Sequence, residues 1–282
     1  MGAVLARPEP VTPSNPGIHA LDPDAYHASP GVSCSLLKAF AREGGPARVR
    51  HGLRGKQTAA MSLGSLIHCA VLEPAELEAR YAPADLGRWD TRTAAFKEAQ
   101  AAAGARELVK RADWDNALAV RDAVAAHPVA RELLGPGLLV ERSLFWTDAE
   151  TGLACRGRVD AYRPDWGVMA DLKSADDASL SGVRKAVEKY RYDLQEAMYR
   201  AGYEAITGAA PDAFFFIFVE SEAPNLIRVA ELDPEDVECA TAELRSLLAR
   251  WAECERTGDW PGYAPSIERI RLSDWHRSRP LA

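Results

Sequence analysis

Residues 156–173 read Arg156-Gly157-Arg158-Val159-Asp160-Ala161-Tyr162-Arg163-Pro164-Asp165-Trp166-Gly167-Val168-Met169-Ala170-Asp171-Leu172-Lys173. Two apolar runs, 159–162 and 168–172, flank a Pro-Asp-Trp-Gly segment whose proline and glycine favour a turn, so the stretch predicts a β-hairpin. Each strand carries a carboxylate. Asp171 and Lys173 are two apart, which on a strand puts them on one face while Leu172 points to the core on the other. Two carboxylates at the ends of adjacent strands can hold Mg²⁺, which keeps several waters and takes few protein oxygens. A lysine beside them can orient a water or stabilise charge on a phosphoryl oxygen, which suits phosphodiester hydrolysis. The same three residues also read as a solvated salt bridge at a hairpin.

The chain has 282 residues and 47% hydrophobic residues, enough for one large α/β domain or two small ones with a sizeable core. Its net charge of −7 argues against a surface coated in basic groups, though not against a local basic groove. The five cysteines are an odd number without a Cys-x-x-Cys pair, so buried, reduced thiols are expected rather than a zinc or iron–sulfur site. The sequence has neither an 18-residue apolar run nor the apolar region of a signal peptide, and the expectation is a soluble cytoplasmic protein with no membrane partner.

Outward from the hairpin, residues 1–25 are Pro-rich and read as an extended arm, and 26–282 as one domain with a helical insertion at about 81–137. Ser33 and Ser35 open a short helix that ends at Gly44-Gly45-Pro46. Arg48, Arg50, His51, Arg54 and Lys56 follow, a basic run that could meet a phosphate backbone or simply be solvated. Residues 59–77 have a helical pattern in which Gly64 and His68 stack on one side, so the missing side chain lets another element approach the imidazole.

The insertion predicts helices at about 93–103 and 114–126. Residues 138–147 predict a strand, on which Glu141 is either a third carboxylate aimed at the hairpin or a surface glutamate. After the hairpin, a long helix at about 182–206 closes at Gly208 and carries Gln195 and Tyr199 four apart, able to reach one point. Residues 213–219 form a buried central strand, 226–232 its partner, and Pro234 opens a last helix to about residue 254.

Gly64-Ser-Leu-Ile-His68, Gly157-Arg-Val-Asp160, Asp171-Leu-Lys173 and Gln195-Glu-Ala-Met-Tyr199 occur in this order on the predicted elements. In this the chain resembles the PD-(D/E)XK nuclease superfamily, and within it the RecB and lambda-exonuclease branch. It is most similar to the nuclease domain of the exonuclease VIII (RecE) type, including Tyr26-His-Ala-Ser-Pro-Gly-Val-Ser-Cys-Ser35, Trp260-Pro-Gly-Tyr263 and Trp275, over roughly residues 26–276.

The resemblance implies an α/β fold with a restriction-endonuclease-like core, a central mixed β-sheet flanked by helices. It implies that Asp160 and Asp171 bind Mg²⁺, with Mn²⁺ able to substitute, and that the Leu172 carbonyl adds an oxygen. His68 binds the metal or sits next to it, and Lys173 takes the catalytic position. Gln195 and Tyr199 contact the DNA backbone or support the site. The implied activity is exonucleolytic hydrolysis of linear double-stranded DNA, 5′ to 3′, in recombination or repair, by a homo-oligomeric ring that works on DNA ends with a single-strand annealing protein of the RecT type. The alternatives are an endonuclease or repair-complex module, and a catalytically idle DNA-binding subunit.

Overall fold

The computed structural model describes residues 15–52 and 59–277. In chain order the elements are β1 (Gly17–Ala20), α1 (Pro23–Ala28), β2 (Val32–Ser33), α2 (Cys34–Phe40), α3 (Gly45–His51) and α4 (Ala59–Leu72). A 3₁₀ turn (Pro74–Glu76) leads to α5 (Leu77–Arg80), β3 (Tyr81–Ala84), α6 (Ala94–Ala103), β4 (Glu107–Lys110), α7 (Arg111–Ala126) and α8 (Pro128–Leu133). Then come β5 (Leu139–Thr147), β6 (Ala154–Arg163), β7 (Val168–Ala175), α9 (Leu180–Tyr190) and α10 (Tyr192–Thr207). The last are β8 (Ala213–Glu220), β9 (Ile227–Ala230), α11 (Pro234–Thr257) and α12 (Asp274–Arg277).

A mixed sheet in the order β1-β5-β6-β7-β8-β9, with β2 alongside β6, forms the centre. β5, β6 and β7 pair antiparallel, as the turn chemistry predicts, and β7 runs parallel to β8. Alternation decides which layer each strand residue joins. On β8, Phe214, Phe216 and Phe218 join one core with Leu194, Met198 and Leu244, while Ile217 and Val219 join a second with Ile67, Val120 and Leu172. The sheet therefore lies between a layer built from α2, α10 and α11 and another built from α4, α7 and α8. Each large apolar side chain buried this way contributes about 1.5–3 kcal/mol.

Local signals start the helices. The Ser33 hydroxyl accepts from Leu36 N, Thr93 from Phe96 N, Ser179 from Gly182 N and the Asp233 carboxylate from Glu235 N. Gly208 ends α10 at φ 82°, in the left-handed region where glycine is favoured.

Three expectations need correction. Residues 17–20, expected in an extended arm, pair antiparallel with β5 and extend the sheet, and residues 23–25 of that arm begin α1; its residues 1–14 lie outside the described residues. The insertion is not purely helical, since β3 and β4 form a short parallel pair before α7 packs on α4. The helix expected over 182–206 is two helices, broken at Arg191, whose φ of 54° is left-handed. That conformation is held by the Arg191 guanidinium, which donates to Asp193 and to Glu243 on α11. All five cysteines are free, and four of them are buried. Among the described residues no helix is long and apolar enough to cross a membrane.

Candidate active site

The site grows from a fork in the sheet. The β6–β7 ladder pairs Arg163 with Val168, Tyr162 with Met169 and Ala161 with Ala170, and there it stops. The next register position brings Asp160 opposite Asp171. In place of a ladder bond, the Leu172 amide donates to Asp160 Oδ2 at 2.8 Å. The neighbouring ladder makes the same omission. Val140 pairs with Ala161 and Arg142 with Val159, and between them Glu141 faces Asp160 with a left-handed φ of 52°. Such a conformation in a non-glycine residue costs on the order of 1–3 kcal/mol and is found where side-chain placement matters. Three carboxylates thus stand in a row across three strands, at the point where backbone pairing lapses. Glu141, left open between a surface and a site position by the sequence, belongs to this cluster.

The α4 layer supplies His68. A Cβ on Gly64, one turn earlier, would already touch Ser174 Oγ at 3.5 Å, so the helix lies close against the end of β7, as the Gly64–His68 spacing suggests. His68 Nδ1 is 3.5 Å from Asp160 Oδ2. One ligating atom each from His68, Glu141 and Asp160 lie within 4.8 Å of one another, a spacing that one cation can bridge. Burial lowers the His68 pKa against the opposing pull of Asp171, which keeps the imidazole neutral and able to ligate. Burial, and then the Asp171 charge, push the Asp160 carboxyl well above the usual range. A cation between these groups would relieve both penalties, so the donor set fits a divalent metal.

The opposite layer supplies the remaining contacts. Asp171, 1% exposed, forms an ion pair with Lys173, and its Oδ2 accepts from Gln195 Nε2 at 2.5 Å. Gln195 Oε1 accepts in turn from Lys173 Nζ at 3.3 Å. The Asp171 carboxylate, expected to be a metal ligand equal to Asp160, is therefore turned to the lysine and glutamine and stands beside the His68–Glu141–Asp160 group. Burial lowers the Lys173 pKa, but Asp171 and Asp160 outweigh it and raise it above the ordinary lysine value. Lys173 is thus an ammonium at neutral pH, fitted for charge stabilisation and not for taking a proton. Leu172 joins the site through its backbone, which bonds Asp160 and lies beside the His68 ring.

Gln195 and Tyr199, expected to contact the DNA backbone or to support the site, are both buried. Tyr199 is buried in the core, its ring against Gly157, where a Cβ would come within 3.0 Å. Gln195 is buried with both amide atoms committed. Gln195 ties Asp171 to Lys173 and so supports the site. Arg48 and Arg50 are exposed on α3, with Arg48 donating to the Tyr263 hydroxyl, while Arg54 and Lys56 lie outside the described residues.

Sequence reading missed three groups. Arg158 shares the Asp160 face of β6 and pairs with Glu141 at 2.5 Å. Arg156, on the same face, lies with Arg158 against the Tyr26 ring. Period-two spacing of Arg156, Arg158 and Asp160 was the available signal. Lys38 and Lys173 both lie over the Tyr192 ring, at 5.4 and 4.5 Å from its centroid, which no local pattern announces. The site opens into a cleft of about 600 Å³ bordered by Asp22, Asp24, His27, His68, Glu141 and Arg158.

A family profile described as "PDDEXK-like domain of unknown function (DUF3799)" matches residues 33–273. Among solved structures, a candidate exonuclease from Eubacterium rectale is similar, with 16% identity and a TM-score of 0.62 over 93% of this chain and 100% of that one. A phage-related exonuclease from Haemophilus somnus gives 14% identity and a TM-score of 0.35 over 82% and 97%. No curated protein matches the chain. At 16% identity the likeness to the Eubacterium rectale protein concerns the fold alone.

Proposed function

We propose that this chain, which belongs to the family of PDDEXK-like domains of unknown function (DUF3799), is a metal-dependent deoxyribonuclease that hydrolyses linear double-stranded DNA from its ends. The observation that carries the reading is the row Glu141–Asp160–Asp171 at the sheet fork, with His68 on one side and Lys173 on the other. The similarity to a structure described as a candidate exonuclease favours an end-directed enzyme over an endonuclease.

His68, Glu141 and Asp160 would hold Mg²⁺ or Mn²⁺, with Asp171 beside them. A divalent ion held there would supply Lewis-acid stabilisation of a phosphoryl oxygen and would lower the pKa of a bound water. Lys173 places a fixed positive charge where negative charge grows on the scissile phosphate, and Gln195 holds its ammonium in place. Arg158 fixes the Glu141 carboxylate. The 5′ to 3′ direction, a ring-shaped homo-oligomer and work alongside a RecT-type annealing protein belong to the same proposal through the exonuclease VIII resemblance. A chain of net charge −7 needs its basic groups gathered toward the DNA, as a ring would gather them.

The test is digestion of 5′- or 3′-labelled linear duplex, covalently closed circle and single strand, with Mg²⁺ or with EDTA. Linear duplex is expected to shorten from labelled ends while the circle persists. Nicking of the circle at a similar rate would replace the exonuclease by an endonuclease, and no cleavage of any substrate would favour an idle DNA-binding subunit. Light scattering that gives a monomer would remove the ring.

A further inference from the structure

An aromatic stack runs outward from the core beside Lys173. Phe216 is fully buried, Tyr192 stacks on it with ring centroids 5.8 Å apart, and Tyr190 stacks on Tyr192 at 5.7 Å. The outermost ring, Tyr190, is 49% exposed. A large aromatic side chain left half in water at the end of a continuing stack has room for one more planar ring. Tyr190 and Tyr192 border a separate groove of about 400 Å³, which also takes in Leu63, Ser174, Lys185 and Lys189.

The charges around the stack select the ring. Lys189 Nζ lies 4.9 Å from the Tyr190 centroid and Lys173 Nζ 4.5 Å from that of Tyr192. Lys185, one helical turn from Lys189, is exposed on the same groove. Asp176 and Asp177 occupy another wall, Asp177 accepting from Ser179 N at the start of α9. Aromatic rings flanked by ammonium groups match a nucleobase joined to phosphates, because stacking tolerates any base while the exposed lysines follow the backbone. Lys189, now over the Tyr190 ring, can swing aside to a phosphate as a base takes its place.

We infer that the groove beside Tyr190 and Tyr192 is a binding track for single-stranded DNA leading away from the catalytic centre. The inference rests on the nuclease reading above and adds the path of one strand to it. Lys173 Nζ lies over the Tyr192 ring, which itself borders the groove, so the groove begins beside the catalytic lysine.

The experiment measures binding of a fluorescein-labelled twelve-nucleotide oligothymidylate by anisotropy in EDTA, so that cleavage does not intervene. The parent, Tyr190→Ala, Tyr190→Phe and Lys185→Ala/Lys189→Ala are compared, with circular dichroism as the folding check; Tyr190 is exposed, so its replacement spares the core. Tyr190→Ala is expected to raise Kd at least fivefold, the loss of one base stack, and Tyr190→Phe to stay within twofold of the parent. The double lysine variant is expected to weaken binding and flatten its salt dependence. A less than fivefold effect of Tyr190→Ala, or a phenylalanine variant as weak as the alanine one, overturns the track. A separate Mg²⁺ arm with labelled linear duplex keeps the two readings apart. Cleavage without Tyr190-dependent oligothymidylate binding removes the track alone, and Tyr190-dependent binding without cleavage removes the nuclease reading alone.

Discussion

Asp160 and Asp171 face each other at the first register position beyond the last bonded pair of β6 and β7, and the Asp160 carboxylate takes the Leu172 amide that a continued ladder would have used. The fork is what makes the site possible. An unbroken ladder would leave His68 and Gln195 on opposite faces of a closed sheet. Where the strands part, an imidazole from one layer and a carboxamide from the other approach the same pair of carboxylates.

Glu141→Gln keeps the backbone and size of the residue and removes its charge. The account predicts at least about tenfold weaker Mn²⁺ binding by calorimetry with the thermal midpoint little changed, since a ligand is lost and no packing is. Arg158→Ala frees the carboxylate from its ion pair and should reduce turnover more than metal affinity.

Gln195→Ala removes the carboxamide from both Asp171 and Lys173 and leaves them only each other. A loss of about 1–3 kcal/mol in urea unfolding is expected, with turnover of duplex down about tenfold as the lysine loses its fixed position. Unchanged stability and turnover would show that the glutamine is a bystander.

His68 adds a nitrogen to two carboxylate oxygens, so Mn²⁺ should support cleavage at least as well as Mg²⁺ at lower concentration. EDTA should abolish cleavage and leave the fold intact, because the carboxylate row is already held by Leu172, Arg158 and Gln195. Metal titrations of activity and of circular dichroism check both statements.

Glu196 is fully buried on α10, and burial, only partly offset by the Arg200 partner, pushes its carboxyl up to about 7. A carboxyl whose folded pKa exceeds its unfolded value binds more protons when folded, so stability falls as pH rises from about 4.5 to 7. The loss is on the order of 3 kcal/mol, at about 1.4 kcal/mol per unit. Glu196→Gln should flatten the thermal midpoint across this window, measured at low and neutral pH in one buffer series.

The hairpin, its turn and the central strand were legible because proline, glycine and period-two alternation are local signals. The break at Arg191 was not. Arginine carries no left-handed signature, helix-forming residues continue on both sides, and part of what holds the break is Glu243, 52 positions away. β1 escaped notice because four residues at a sheet edge leave almost no periodic trace. Within the site, Asp160, Asp171 and Lys173 stood out from their spacing on the hairpin, whereas His68 was placed there only by the family resemblance. The turning of Asp171 toward Lys173 and the burial of Tyr199 follow from packing across layers, and only the folded chain displays them.

The central claim is that the fork is a nuclease centre, and one measurement addresses it most directly. End-labelled linear duplex is incubated in Mg²⁺ with the parent, Asp160→Asn and Lys173→Ala, each shown to be folded by circular dichroism. The account predicts that the parent shortens the duplex and that each substitution slows it by at least about 10²-fold, with Mn²⁺ still bound by Lys173→Ala and lost from Asp160→Asn. Asp160→Asn cutting the duplex at the parental rate would contradict the account.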